Sequence, residues 1–271
     1  MGNYFANKKP ATKREVEEDF LGGGGVLDTD LYSGTIKYAY LSKAASSEAR
    51  ALNLCLIINK QEVTRQIWMT TRHGDLTYPD KKTGEQKNLP GYNQANSLCM
   101  LLASKDIGDM EVEDKVLKLY DYESQKDINQ SVPCFEELHG LDLQVAIQKQ
   151  TVDKTEKNES TGDYEPTGET RDVNEFVKFF PADVPVTLGE VAHKISGLGG
   201  DFDDVLADGD VGKAIKTMTD EDGVWAAKWL DKNRGETWNR AKGKTEGKSF
   251  GGGSKSSGGG EKKPKSNLFD D

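Results

Sequence analysis

The sequence predicts a mainly β protein with appended helices, and three observations carry that prediction. In GTIKYAYLSKAASSEARALNLCLIIN, Leu52, Leu54, Leu56 and Ile58 fall on every second residue, the period at which strand side chains return to one face. In KQEVTRQIWMTTRHG, Val63, Ile67 and Met69 share one parity while Thr64, Trp68 and Thr70 share the other. Two further β-rich runs, KVLKLYD and DLQVAIQK, follow after a single helical pattern.

Taken in order, residues 1–25 form a basic-then-acidic arm ending in Gly22 to Gly25, four glycines that hold no regular element cheaply. This arm is expected to be disordered. Residues 26–150 form the compact domain, with strands at 34–42, 51–59, 62–71, 115–121 and 142–149. Hairpin turns fall near Ser46–Ser47 and Asn59–Lys60. The excursion from Tyr78 to Tyr92 reads as a loop turning on Asp80-Lys81-Lys82-Thr83-Gly84. Asn93 to Ser104 reads as a helix, because Ala95, Leu98, Leu101 and Leu102 recur at helical spacing. Three strands, a helix and two more strands is the order of an OB-fold, a five-stranded Greek-key barrel.

Beyond the barrel, 151–170 is polar and nearly free of aliphatics, as in a linker or loop. Residues 171–245 read as an acidic, helical appendage. In it Val173, Phe176, Val177 and Phe180 share a helical face, and Thr187 with Glu190 makes a capping-box pattern. A helix starting near Asp220 carries Trp225, Trp229 and Leu230. Residues 246–271 form a flexible Gly/Ser/Lys tail with a Phe-Asp-Asp tip.

Composition narrows the function. The 271 residues are 35% hydrophobic and 30% charged, with net charge −10. No run approaches the ~18 apolar residues of a membrane span, and MGNYFANKKP has no apolar signal core. Cys55, Cys99 and Cys134 sit beside aliphatics and read as small buried hydrophobes in a reducing compartment. His73, His139 and His193 are isolated, and no pair of metal ligands has zinc spacing. No metal and no cofactor are expected. The run DFDDVLADGDVGK fails as a calcium loop, with Val205 at the fifth ligand position and Gly212 where glutamate belongs. It fails as a phosphate loop because Ala207 replaces the first glycine and Ala214 the Ser/Thr that binds magnesium. With no nucleophile elbow either, the chain reads as a non-enzyme.

The charge pattern then points to a ligand. Between Gly34 and Cys99 nine Lys or Arg face five Asp or Glu, a positive stretch in an acidic protein. Acidic residues outnumber basic ones 18 to 7 between Asp153 and Asp222. Binding a single strand of nucleic acid needs cations for phosphates and aromatic faces for bases. Here Tyr38, Tyr40, Trp68, Tyr78 and Tyr92 are interleaved with Lys37, Lys43, Arg50, Arg65, Arg72, Lys81, Lys82 and Lys87. Tyr38 and Tyr40 are placed on the face opposite Ile36, and Trp68 opposite Val63, Ile67 and Met69, so these rings are expected outside the core.

The segments GTIKYAYLSKA, RQIWMTT, TYPDKKTGEQKNLPGYNQANSLC and the tip NLFDD resemble the single-stranded DNA-binding replication proteins of tailed bacteriophages. The resemblance covers about residues 26–150 and the last few. It implies an OB-fold that coats and protects single-stranded DNA during replication and recombination in the cytoplasm of an infected bacterium. It also implies that the tip, Leu268, Phe269, Asp270 and Asp271, contacts a DNA polymerase, a helicase or another replication protein. The protein itself could form a homo-oligomer. A tethered acidic tip at an effective concentration of order mM would compete for the basic surface until DNA displaces it. The rival reading is a non-enzymatic scaffold acting through the acidic segment.

Overall fold

The computed structural model describes residues 25–121, 124–157 and 164–242. The expected N-terminal arm and C-terminal tail, including Leu268, Phe269, Asp270 and Asp271, lie outside them, apart from residue 25. An eight-stranded sheet organises the described residues. Its first three strands form an antiparallel meander: β1 (Asp30–Lys43), β2 (Arg50–Ile58) and β3 (Gln61–Trp68). The β2–β3 turn falls at Asn59 and Lys60, both with positive φ (50° and 65°), the twist a two-residue hairpin requires.

A strict alternation along β1 would put Ile36, Tyr38 and Tyr40 on one face. The register shifts between Ile36 and Tyr38, and the bulge at Lys37 turns the later residues over. Ile36 and Ala39 are therefore buried while Tyr38 and Tyr40 stand half-buried on the opposite face.

After β3 the excursion is a small hairpin rather than a loop, with β4 (Thr77–Pro79) and β5 (Gln86–Asn88) as a separate two-stranded sheet. Helix α1 (Pro90–Ala103) opens with proline in its first turn and ends on Ser104 at φ 54°. The ribbon β6 (Glu113–Asp121) and β7 (Lys126–Cys134) pairs along its whole length but touches β1 at one register, Tyr40 with Cys134. Strand β7 is too polar to signal itself in the sequence.

Strand β8 (Asp142–Lys157) runs antiparallel to the first half of β1, and β9 (Tyr164–Pro181) pairs antiparallel to β8. This corrects two expectations. The segment 151–170, expected as a linker, supplies the distal halves of these strands wherever it is described. The segment 171–182, expected as a helix, is strand as far as Pro181. Its helical spacing arises because β9 is buried on both faces and bulged. Register passes from Ala146–Lys178 to Ile147–Phe176, leaving Val177 over. Phe176 and Phe179 then enter the main core while Phe180 packs in a second layer with Ala146 and Ala226.

The described residues after β9 are mainly helical: α2 (Leu188–Gly197), α3 (Phe202–Ala207), α4 (Val211–Ile215) and α5 (Val224–Asn233). The short β10 (Thr237–Asn239) then pairs parallel to β8. The capping box at Thr187 and Glu190 forms as its spacing predicts. Helices α2 and α4 bury Val191, Ile195, Val211 and Ile215 with Leu101 of α1, so this unit is docked on the domain. All three cysteines are free and buried.

The expected closed five-stranded barrel does not form; the sheet is open. Among the described residues, β3 ends the hydrogen-bonded order and β9 pairs only with β8. The physical reason is α1. Its Gln94 Nε2 donates to the Phe176 carbonyl of β9 at 2.6 Å. On the other side, a Cβ on Gly91 would lie 2.0 Å from the Trp68 carbonyl oxygen of β3. The first turn of the helix thus occupies the position where β3 and β9 would meet. Gly91→Ala should push α1 off β3 and lower stability by about 1–3 kcal/mol, the usual cost of overpacking. Thermal denaturation checks this, and an unchanged midpoint would contradict the close approach. Among the described residues, no helix is long and apolar enough to cross a membrane.

Candidate nucleic-acid interface

The opening between β3 and β9 leaves a groove of about 1360 Å³. One wall is built by local structure near α1. Trp68 ends β3, 45% exposed, and Tyr78 and Lys87 face each other across β4–β5. The hairpin is held by its turn: Asp80 Oδ1 accepts from the Lys82 and Thr83 amides at 2.7 and 3.2 Å. Gly84 supplies φ 74°. Lys87 Nζ lies 2.7 Å from Asp80 Oδ2, and chiefly this hydrogen bond lowers the Asp80 carboxyl to about 2. An exposed pair of this kind is weak, so Lys87 remains free to turn to a phosphate.

The opposite wall comes from the C-terminal third. Helix α5 places Trp225, Lys228, Trp229 and Lys232 within one 100° arc, because the helical repeat sets residues three and four apart on one face. Trp225 and Trp229 stack at 5.9 Å with planes 11° apart. Beneath them Lys178 of β9 lies 5.6 Å from the Trp225 ring centre, and burial lowers its pKa. Trp238 on β10 is set opposite Gln150 by the parallel pairing. The base holds Gln148 and Gln150, 2% and 4% exposed.

A single carboxylate ties the start of α5 to the start of α2. Glu190 Oε2 accepts from the Thr187 amide at 2.8 Å, closing the α2 cap, while Oε1 accepts from the Trp225 amide at 2.7 Å. One side chain thus satisfies the first turns of two helices. Across the gap, Arg65 of β3 forms an ion pair with Glu175 of β9.

The groove collects charge and rings unevenly. Among the described residues, its lining holds five cations (Arg65, Lys87, Lys178, Lys228 and Lys232) against one carboxylate, Glu175. All four tryptophans of the chain line it. Among the described residues, Lys228 and Lys232 make no ion pair.

Of the residues expected at the site, Arg65, Trp68, Tyr78 and Lys87 line this groove. Tyr38 and Tyr40 lie elsewhere, on the outer face of β1–β3, with ring centres 5.8 Å apart. Trp68 shares that face, since Tyr40 pairs with Asn53, Asn53 with Gln66, and Ala51 with Trp68. Strand spacing puts Tyr40 and Trp68 roughly 12 Å apart. Lys37 is exposed there but paired with Glu62, and Lys43, exposed at the end of the opposite face, is paired with Glu48. Arg50 is exposed opposite Lys43. Arg72 donates to His73 at 3.1 Å, and Lys81 and Lys82 project from the hairpin tip. Tyr92 instead packs half-buried against the core.

Lys178, Trp225, Lys228, Trp229, Lys232 and Trp238 also line the groove, beyond the residues expected from the sequence. Trp-x-x-x-Trp interleaved with Lys-x-x-x-Lys on one helix was a signal within reach, obscured by the acidic residues before it. No family model matches the chain, and no curated protein matches it.

Proposed function

We propose that this chain binds single-stranded DNA without base-sequence preference, coating and protecting it as the resemblance implies. The observation that carries the reading is the groove that holds all four tryptophans and five cations in a protein of net charge −10. Cations attract phosphates against the overall field, and stacking on indole rings contributes about 1–3 kcal/mol per base whatever the base. A volume above the roughly 300–1,000 Å³ of a drug-sized pocket suits more than one nucleotide. The order of three strands, α1 and later strands favours an OB-like architecture opened at the β3–β9 seam, with the strand lying in the opening. On the same reading the tip Leu268 to Asp271 recruits replication proteins.

Titrating the protein with oligo-dT tests this directly, since every tryptophan reports on the groove. Fluorescence should be quenched at low salt and recover at high salt. A flat titration would remove the DNA-binding reading and leave the acidic segment 153–222 as the functional surface.

A further inference from the structure

Resting on that reading, in which bases stack in the groove, we infer that Gln148 donates a hydrogen bond to their unpaired edges, a contact that paired bases in a duplex do not offer. Among the described residues, the only buried side-chain polar atoms without a hydrogen-bond partner are Gln148 Nε2 and Arg65 Nε. Both residues line this groove, and Gln148 is 2% exposed. Both atoms are donors, so the ligand that satisfies them presents acceptors. Base carbonyl oxygens and ring nitrogens meet that requirement, and so do phosphate oxygens.

The rest of the lining favours bases. Seven of the lining side chains are Asn or Gln. Asn88 and Asn93, like Gln148, make no side-chain hydrogen bond among the described residues. A carboxamide carries both donors and an acceptor, and every base edge mixes the two. An amide that turns over therefore serves any base, which agrees with sequence-tolerant binding. In a duplex the Watson–Crick edges are already occupied, and the stacked bases cannot reach the tryptophans.

The test uses the full-length wild-type protein and three labelled ligands of equal length: oligo-dT, an abasic deoxyribose-phosphate polymer and a duplex. Anisotropy is followed over a salt series. Oligo-dT should bind at least about tenfold tighter than either of the others. Gln148→Leu should weaken oligo-dT about tenfold and leave the abasic polymer unchanged, with Gln148→Met, uncharged and of similar volume, as a second variant should leucine unfold the protein. Equal, salt-sensitive affinity for oligo-dT and the abasic polymer would overturn base insertion while leaving DNA binding intact. Duplex bound as tightly as oligo-dT would also overturn it. A selective wild type with unaffected folded Gln148 variants would remove Gln148 from the contact. Failure to bind any of the three would overturn the DNA-binding reading itself.

Discussion

Reversing two charges on α5, Lys228→Glu together with Lys232→Glu, should lower affinity for oligo-dT at low salt by about 100- to 1,000-fold. An attraction between unit charges about 4 Å apart in water is worth about 1 kcal/mol, and reversal replaces it with repulsion of similar size. Two sites then cost about 4 kcal/mol, nearly three decades in Kd. The salt dependence should flatten as well, by about 1.4 in the slope of log K against log salt, because each lost phosphate contact on a single strand removes about 0.7. Both side chains are exposed and glutamate is a good helix former, so the fold should survive. The exception is a small penalty at Lys232, in the last turn of α5, where a negative charge opposes the helix dipole. Lys232→Gln controls for it. Unchanged affinity and slope in a folded double variant would mean that α5 does not face the DNA.

The second large effect concerns rings. Trp68→Ala and Trp238→Ala should each weaken oligo-dT binding about 5- to 150-fold, the range expected when one base loses its stacking partner. These two are the clean probes because they are 45% and 47% exposed. Trp225 and Trp229 also pack on Phe180 and Ala226, so removing either mixes lost stacking with lost stability, which for a buried aromatic is about 3–5 kcal/mol. Tyr38→Ala and Tyr40→Ala extend the test. Weaker binding in both would continue the strand from Trp68 over the outer face of β1–β3, and normal binding would confine it to the groove. Wild-type affinity in Trp68→Ala and Trp238→Ala together would end the stacking account.

Much of this fold was legible because it rests on local rules. The alternation of Leu52, Leu54, Leu56 and Ile58 specifies a strand with one buried face, and the core contains all four. The Asn59–Lys60 turn and the Thr187–Glu190 cap are chemistry between near neighbours, which spacing alone reveals. Where local rules broke, a longer-range pairing had overridden them. Val173, Phe176, Val177 and Phe180 have helical spacing because a bulge and two buried faces imitate it, and only pairing with β8 makes the segment a strand.

The site divides the same way. By itself the sequence determined that the chain is mainly β, that 34–99 is basic and aromatic within an acidic protein, and that Arg65, Trp68, Tyr78 and Lys87 were candidates. The tertiary structure decided which rings and cations share one groove. That depended on α1 occupying the β3–β9 seam, on Glu190 holding the first turn of α5, and on β8 pairing with β10. Each is a contact between segments far apart in the chain, and such contacts are set by packing and hydrogen-bond satisfaction across the whole fold.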